Sequence, residues 1–284
     1  MVITPRNALR FIASPDSMPV TISTLRAAKQ EGRRFVMLTA YDFPTARLLA
    51  QAEIPVILVG DSVGDNMLGY PNTLPVTMTE MLHHARAVAR GAPGVLLVGD
   101  MPFGSYNGSC DETARNASDF LKAGMHAVKM EGGGWVVEHV AYLTARGIPV
   151  MGHLGLTPQS VNAFGGMRVQ GKTEAAQERI LNDARALEDA GAFALVLEGV
   201  PRALAGRVTK ALDIPTIGIG AGPDCDAQVL IINDLLGISD RVRGGMPKFA
   251  RAYADIGDRI VEAARSYADD VREGRFPDDA HSYH

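Results

Sequence analysis

The stretch 54–61, IPVILVGD, is an unbroken apolar run that ends on the carboxylate of Asp61. Five further runs of this kind end on, or carry near their end, acidic, basic or imidazole side chains: FVMLTAYD at 35–42, GVLLVGD at 94–100, AVKMEG at 127–132, IPVMGH at 148–153 and FALVLEG at 193–199. An unpaired charge at the edge of a buried strand is costly, so such a residue is normally paired or put to use. The repetition predicts that these strand endings share one site.

Apolar runs alternate with amphipathic stretches along the chain. Strands are predicted near 35–41, 54–60, 94–99, 127–131, 148–153, 193–198, 214–219 and 235–239, and helices near 43–53, 79–91, 110–123, 134–146, 173–190, 201–212, 224–233 and 247–272. This alternation predicts a parallel sheet, because each parallel strand has to be reached by a crossover. Eight such units in about 220 residues predict an α/β fold, a closed (β/α)8 barrel. A doubly wound open sheet is the alternative, because the eighth run, LLGIS, is the weakest.

The bulk composition narrows the class of protein. The 284 residues, 46% hydrophobic and 21% charged, show no internal linker, so we expect a flexible extension at 1–20, a single barrel domain at 21–272 and a polar tail at 273–284. The net charge of -4 lacks the basic excess typical of nucleic-acid binding. No apolar run reaches the roughly 20 residues needed to span a bilayer, and the two cysteines have no CxxC spacing. We therefore expect a cytoplasmic protein with neither nucleic acid nor membrane as a partner.

Two carboxylates, Asp61 and Asp100, each follow a strand and a Val-Gly pair, so they can converge on one cation. An all-oxygen ligand set suits Mg²⁺ better than zinc, and Glu131 nearby favours a metal site. The alternative is that the aspartates cap the following segments or pair with a lysine. Lys129 and Glu131 project to the same face of their strand. Lys129 would neutralise a substrate carboxylate there, and Glu131 would hold a metal-bound water. The alternative is that the two residues form an internal ion pair.

His153 and Glu198 complete the set of candidate site residues. His153 ends its strand beside the other polar endings, which favours a role in the site; a satisfied structural histidine is the alternative. Glu198 follows Leu195-Val196-Leu197, and a carboxylate in such an apolar setting is suited to remove a proton from carbon near neutral pH. Pairing with Lys or Arg inside the barrel is its alternative. For Asp42 we expect only a structural role at the end of the first strand.

Two connections are too long to be simple turns. They are SVGDNMLGYPNTLPVT after Asp61 and LGLTPQSVNAFGGMRVQGK after His153. Long loops inside a compact domain are usually lids or binding loops. Both leave the same end of the predicted barrel as the polar endings, so we expect them to border the site.

A set of longer motifs covers nearly the whole chain from Thr21 onward. They are TISTLRAAKQEG, FVMLTAYDFPTA, VILVGDSVGDNMLGY, TLPVTMTEMLHHARAVARGA, GDMPFGSY, AVKMEGG, PVMGHLGLTPQSV, LEGVP and IPTIGIGAG with QVLIINDLLGI. Together they resemble the motifs of the ketopantoate hydroxymethyltransferase family. The resemblance implies a (β/α)8 TIM barrel of the isocitrate lyase and phosphoenolpyruvate mutase type. It further implies transfer of a hydroxymethyl group from the co-substrate 5,10-methylenetetrahydrofolate to 3-methyl-2-oxobutanoate, through a Mg²⁺-stabilised enolate, in pantothenate and coenzyme A biosynthesis.

Carried over position by position, the resemblance implies a role for each strand-end residue. Asp61 and Asp100 would bind Mg²⁺ and thereby the substrate, with Glu131 reaching the metal through water. Ser62 and Lys129 would hold the carboxylate and keto oxygens of the 2-oxo acid, and His153 would hydrogen-bond in the same pocket. Glu198 would transfer the proton. The resemblance also implies a homo-oligomer, a decamer built as a pentamer of dimers.

Two other hypotheses remain open from the sequence. A related Mg²⁺-enolate enzyme, such as a 2-methylisocitrate lyase or a phosphonopyruvate-type enzyme, would share the barrel. Lyases of that kind rely on a Lys-Lys-Cys-Gly-His loop, which this sequence lacks. A non-catalytic barrel kept as a scaffold or ligand sensor would have lost acidic strand-end residues, and all are present here.

Overall fold

Eight parallel strands close into one barrel in chain order in the computed structural model, which describes residues 19–284. The strands are β1 (Phe35–Thr39), β2 (Val56–Val59), β3 (Leu96–Asp100), β4 (Ala127–Glu131), β5 (Val150–Gly155), β6 (Ala194–Glu198), β7 (Thr216–Ile219) and β8 (Ala227–Leu230). Each strand pairs with the next, and β8 pairs with β1. The predicted (β/α)8 barrel is confirmed, and the doubly wound open sheet is excluded.

Most helices lie where the amphipathic pattern predicts them. They are α1 (Ile22–Gln30), α2 (Phe43–Gln51), α3 (Val63–Asn66), α4 (Met78–Gly91), α5 (Cys110–Lys122), α6 (Val136–Thr144), α7 (Val161–Phe164), α8 (Glu174–Asp189), α9 (Arg202–Ala211), α10 (Ile232–Leu235), α11 (Ile238–Arg243) and α12 (Ile256–Arg272). Thr21 and Thr77 start α1 and α4 with capping boxes. Asp42 caps α2, where its Oδ1 accepts a hydrogen bond from Thr45 N at 2.7 Å. Within residues 19–284, no helix is both long and apolar enough to cross a membrane.

The eighth strand lies earlier than the sequence predicts. A strand at 235–239 and a helix at 224–233 are both wrong, because β8 falls inside the range predicted as helix and pairs with β1 and β7. The chain at 235–239 instead ends α10 and begins α11, with Gly237 between them at φ +70°. Short apolar runs do not distinguish strand from helix by periodicity. Pairing partners on both sides, which a sequence pattern does not reveal, make Ala227–Leu230 the strand.

The chain divides into two compact units, one that ends at Leu230 and one at Ile231–His284. The first contains all eight strands and the helices from α1 to α9, and the second contains α10, α11, α12 and a short 3-10 segment at Asp279–His281. The boundaries predicted for a barrel domain at 21–272 and a tail at 273–284 stay predictions. All but the last two residues of the predicted extension at 1–20 lie outside the described residues.

The interior of the barrel changes from apolar to charged along its strands. Its buried core includes Leu96 and Val98 of β3, Ala127 of β4, Met151 of β5, and Ala194 and Val196 of β6. Residues i and i+2 share one face of a strand. The next positions on the same faces are Asp100, Lys129, His153 and Glu198. The charged side chains therefore form a layer above the apolar core, at the carboxyl ends of the strands.

Candidate active site

Strand register brings the charged residues side by side. The paired positions on neighbouring strands are Asp100 with Lys129, Glu131 with His153, and Gly155 with Glu198. Asp61 lies two residues past β2, and its backbone N donates to Asp100 Oδ2 at 3.1 Å. We refer to Asp61, Asp100, Lys129, Glu131, His153 and Glu198 as the polar cluster. The structure thus brings together six of the seven residues predicted for the site, and the seventh, Ser62, directly follows Asp61 in the chain.

Lys129 is the lysine of the polar cluster. Its Nζ lies 2.9 Å from Asp100 Oδ1 and 3.7 Å from Glu131 Oε1, and all three side chains are buried. Burial disfavours the charged ammonium, but the negative charges of Asp100, Glu131 and Asp61 outweigh it and hold the pKa of Lys129 above its usual value. The internal ion pair that the sequence left open as an alternative is therefore present, and the lysine stays charged.

His153 connects Glu131 with Glu198. Its Nδ1 lies 3.2 Å from both Glu131 Oε1 and Lys129 Nζ, and its Nε2 lies 3.4 Å from Glu198 Oε2. Burial and the charge of Lys129 lower the pKa of His153, but the two glutamates raise it more, so it lies above 6.5. Among the described residues, Nε2 has no hydrogen-bond partner of good geometry. This nitrogen therefore keeps hydrogen-bonding capacity beside Glu198.

Glu198 is the most accessible carboxylate of the polar cluster. Its side chain is 17% exposed, compared with 3% for Asp100 and 2% for Glu131. Its backbone carbonyl accepts a hydrogen bond from Leu156 N at 2.8 Å, and Gly155 leaves room for it, since a Cβ there would lie 2.2 Å from Glu198 O. Its ion-pair partner among residues 19–284 is His153 rather than the Lys or Arg considered as an alternative. The geometry is that of an oriented carboxylate with access to a bound molecule.

Asp61 and Asp100 are buried without enough positive charge to balance them. Burial raises the pKa of Asp61 well above 3.8, and the charges of Asp100 and Glu131 raise it further. Burial also raises the pKa of Asp100, although Lys129 opposes it. For Glu131, burial would raise the pKa, but the charges of His153 and Lys129 outweigh it and lower the pKa. An additional cation near the two aspartates would stabilise their ionised forms.

The donor set fits Mg²⁺, which prefers carboxylate oxygens and keeps several water or substrate oxygens in its coordination sphere. Asp100 Oδ1 has an ion-pair contact with Lys129 but no hydrogen bond of good geometry. Both carboxylate oxygens of Glu131 are engaged, Oε1 with His153 and Oε2 with the backbone N of Gln159 at 3.0 Å. Within the part of the chain described, no group of three or more His, Cys, Asp or Glu side chains is arranged to hold a metal. A site with Asp61 and Asp100 as the only direct protein ligands is compatible with this finding.

Two residues of the site are absent from the sequence-based set. Gln159 Nε2 donates to Asp61 Oδ2 at 2.9 Å, and Tyr106 OH donates to Gln159 Oε1 at 2.6 Å. Gln159 belongs to the loop predicted to border the site, in a short 3-10 segment at Pro158–Ser160. A proline followed by a polar residue just past a strand end was the available signal for Gln159. No local pattern distinguishes Tyr106 from other loop tyrosines.

Ser62 is oriented from the neighbouring strand end. Its Oγ lies 2.8 Å from Tyr41 OH, and burial raises the pKa of Tyr41, so the phenol stays protonated. A Cβ at Gly60 would lie 2.7 Å from Ser62 Oγ, so a side chain at this position would displace the hydroxyl from its present place. The contact of Ser62 with substrate stays a prediction.

A closed parallel barrel with charged residues at the carboxyl ends of its strands is the arrangement found in (β/α)8-barrel enzymes. Residues 19–279 match the family model described as ketopantoate hydroxymethyltransferase. A protein of Syntrophus aciditrophicus named 3-methyl-2-oxobutanoate hydroxymethyltransferase is 54% identical, over 93% of this chain and 96% of the relative. One of the same name from Methylobacterium sp. is 55% identical, over 93% and 90%. The chain belongs to the ketopantoate hydroxymethyltransferase family and is an enzyme of the transferase class, as its motifs predict.

Solved structures share the fold at lower identity. Phosphonopyruvate hydrolase in complex with oxalate and Mg²⁺ has a TM-score of 0.59 and 18% identity, over 93% of this chain and 91% of that one. A 2,3-dimethylmalate lyase, described as a PEP mutase/isocitrate lyase superfamily member, has a TM-score of 0.59 and 17% identity, over 94% and 90%. These likenesses confirm the predicted type of barrel. The sequence identity to the transferases, 54% and 55%, is far higher than the identity to these structures.

Proposed function

We propose that this protein transfers a hydroxymethyl group from 5,10-methylenetetrahydrofolate to 3-methyl-2-oxobutanoate, giving 2-dehydropantoate, in pantothenate and coenzyme A biosynthesis. Family membership supports the proposal. The observation that carries it is the 3.4 Å contact between His153 Nε2 and Glu198 Oε2. It connects a partly exposed carboxylate, suited to take a proton from carbon, to the buried charges that would hold a 2-oxo acid.

The 2-oxo acid would bind above the buried charges of the polar cluster. Lys129 is held charged by its carboxylate neighbours and would attract the substrate carboxylate. Ser62 and His153 would hydrogen-bond substrate oxygens. Asp61 and Asp100 would hold Mg²⁺, with Glu131 reaching it through water. When bound, the ion would supply Lewis-acid polarisation of the 2-oxo group.

Glu198 would take the proton from C3 of the acid. The electron pair left at C3 forms the new carbon–carbon bond to the one-carbon unit of the folate, and water supplies the hydroxyl group as the two carbon–nitrogen bonds to the folate break. The proton taken from C3 and the second proton of water go to the two nitrogens of the tetrahydrofolate that leaves. His153 lies against Glu198 Oε2 and would keep the carboxylate directed at the substrate. General-base catalysis of this kind typically contributes about 10²–10⁴-fold to the rate.

The test follows the C3 proton of 3-methyl-2-oxobutanoate by NMR in D2O with Mg²⁺, and then turnover after methylenetetrahydrofolate is added. Glu198→Gln should lose exchange and turnover by about 10²–10⁴-fold, and Asp61→Asn should lose the exchange and turnover that depend on Mg²⁺. The matched control is Glu178→Gln on the surface of α8, where the side chain is 50% exposed; it should behave as wild type. Absence of metal-dependent exchange in the wild type would refute the proposed chemistry. Exchange without turnover would refute the folate as donor.

The cellular setting stays a prediction. We expect a cytoplasmic homo-oligomer, a decamer by family resemblance, that binds small molecules and neither nucleic acid nor membranes. Light scattering of the purified protein measures the oligomeric state, and a monomer at assay concentration would contradict this expectation.

A further inference from the structure

Gln159 is a buried amide with hydrogen bonds from both its side chain and its backbone. Nε2 lies 2.9 Å from Asp61 Oδ2 and 2.9 Å from Met101 O, and Oε1 lies 2.6 Å from Tyr106 OH. Its backbone N donates to Glu131 Oε2 at 3.0 Å. The residue is only 6% exposed. One residue therefore contacts two carboxylates of the polar cluster.

The hydrogen-bond partners determine which end of the amide faces Asp61. Met101 O is a carbonyl oxygen and can only accept, so the NH2 group must point at it. Tyr106 OH accepts from Glu131 N at 3.2 Å, and its single hydrogen goes to Gln159 Oε1 at 2.6 Å rather than to Glu131 O at 3.3 Å. Both amide hydrogens are then used, one on Met101 O and one on Asp61 Oδ2. If the amide were flipped, Oε1 would face Asp61 Oδ2 and Met101 O, which are both acceptors, and neither hydrogen bond could form.

We propose that Gln159 is a positioning residue, which fixes the Asp61 carboxylate through Oδ2 and thereby presents the other oxygen, Oδ1, to a divalent cation. Tyr106 acts one step further away, because its hydroxyl fixes the orientation of the Gln159 amide. The inference rests on the metal site of the proposed function. Residues that orient metal ligands through hydrogen bonds typically affect metal affinity about 10–100-fold when they are replaced.

The two carboxylates that Gln159 contacts can be separated by mutation. Asp61 is held by the side chain, whereas Glu131 is held by the backbone N. Gln159→Met keeps an unbranched side chain and the backbone donor but removes the amide. The change therefore acts on Asp61 and leaves the backbone contact to Glu131 in place.

The test measures binding of Mn²⁺ alone to the full-length protein, by the EPR signal of the free ion. Gln159→Met should raise the Kd for Mn²⁺ about 10–100-fold. The matched control is Gln170→Met in the same loop, where the amide donates to Arg168 O at 2.9 Å and lies outside the polar cluster. This control should leave the Kd unchanged.

Thermal unfolding with and without Mn²⁺ separates positioning from general support of the fold. A purely structural role predicts a lower Tm in Gln159→Met with the same rise in Tm on adding Mn²⁺. A positioning role predicts a smaller rise, because the gain in stability depends on affinity. Tyr106→Phe should also raise the Kd, but it should add nothing in the Gln159→Met background, because its effect passes through the amide.

The outcomes distinguish failure of the positioning role of Gln159 from failure of the metal site on which that role depends. If wild type binds no Mn²⁺, the metal site is wrong and this inference falls with it. If wild type binds Mn²⁺ and Gln159→Met binds it equally tightly, the positioning role is refuted while the metal site stands. Should Gln159→Met fail to fold, Tyr106→Phe alone decides, and an unchanged Kd in that variant refutes the role of the amide orientation.

Discussion

Replacing Lys129 with methionine removes the lysine of the polar cluster and keeps an unbranched side chain of similar volume. In the wild type, Nζ lies 2.9 Å from Asp100 Oδ1 and 3.7 Å from Glu131 Oε1. The two carboxylates would stay buried in Lys129→Met but would lose this counter-charge. We therefore expect a large loss of stability that does not depend on any change in packing volume.

The size of the loss follows from the distances. Two unit charges 2.9 Å apart attract by about 6 kcal/mol if the effective dielectric constant is about 20. Desolvation of the lysine offsets part of this attraction, and removing one partner of a buried pair typically costs about 3–5 kcal/mol. Because about 1 kcal/mol shifts the Tm of a large domain by about 2–4 °C, Lys129→Met should unfold roughly 10 °C below wild type.

Thermal unfolding followed by circular dichroism, with a chelator present, measures this effect. The matched control is Lys122→Met on α5, since Lys122 is 77% exposed and lies 3.5 Å from Asp119. Exposed pairs of this kind contribute less than about 1 kcal/mol, so the control should unfold close to wild type. If Lys129→Met proved as stable as Lys122→Met, the electrostatic account of the polar cluster would be wrong.

Two further predictions concern positions outside the polar cluster. Asp42→Ala removes the cap that accepts from Thr45 N at 2.7 Å and should cost about 1 kcal/mol in urea unfolding; Asp42→Ser should recover most of it, and equal stability of all three proteins would contradict the capping role. Burial lowers the pKa of His126 below 6.5, and its Nδ1 accepts from Leu97 N at 3.0 Å. As the pH falls below 6.5 the unfolded chain takes up the proton first, so the contribution of His126 is full above that pH and declines toward its folded pKa. The stability advantage of wild type over His126→Asn should therefore shrink as the pH is lowered from about 7. The change should be small, because His126 is only partly buried; an advantage that does not change with pH would refute it.

Local patterns were sufficient for seven of the eight strands and insufficient for the last. The first seven are apolar runs, and in the structure a helix follows each of the first six. Residues 224–240 contain two short apolar runs, and their periodicity does not say which one becomes a strand. The register of Ala227–Leu230 with β1 and β7 decides it. Barrel closure is a property of the whole sheet, so no short segment of the sequence reveals which run closes it.

The sequence by itself determined which charged residues end the strands, and therefore the membership of the polar cluster. Strand endings can be identified locally, because the apolar run and the polar residue that follows it are adjacent in the chain. Only the tertiary structure decided how those residues are paired and held. Gln159 donates to Asp61 across 98 positions of the chain, and the Tyr106 hydroxyl that orients its amide comes from another loop. Hydrogen bonds between distant loops depend on where the barrel places each strand end, and that placement follows from strand register and closure rather than from local sequence.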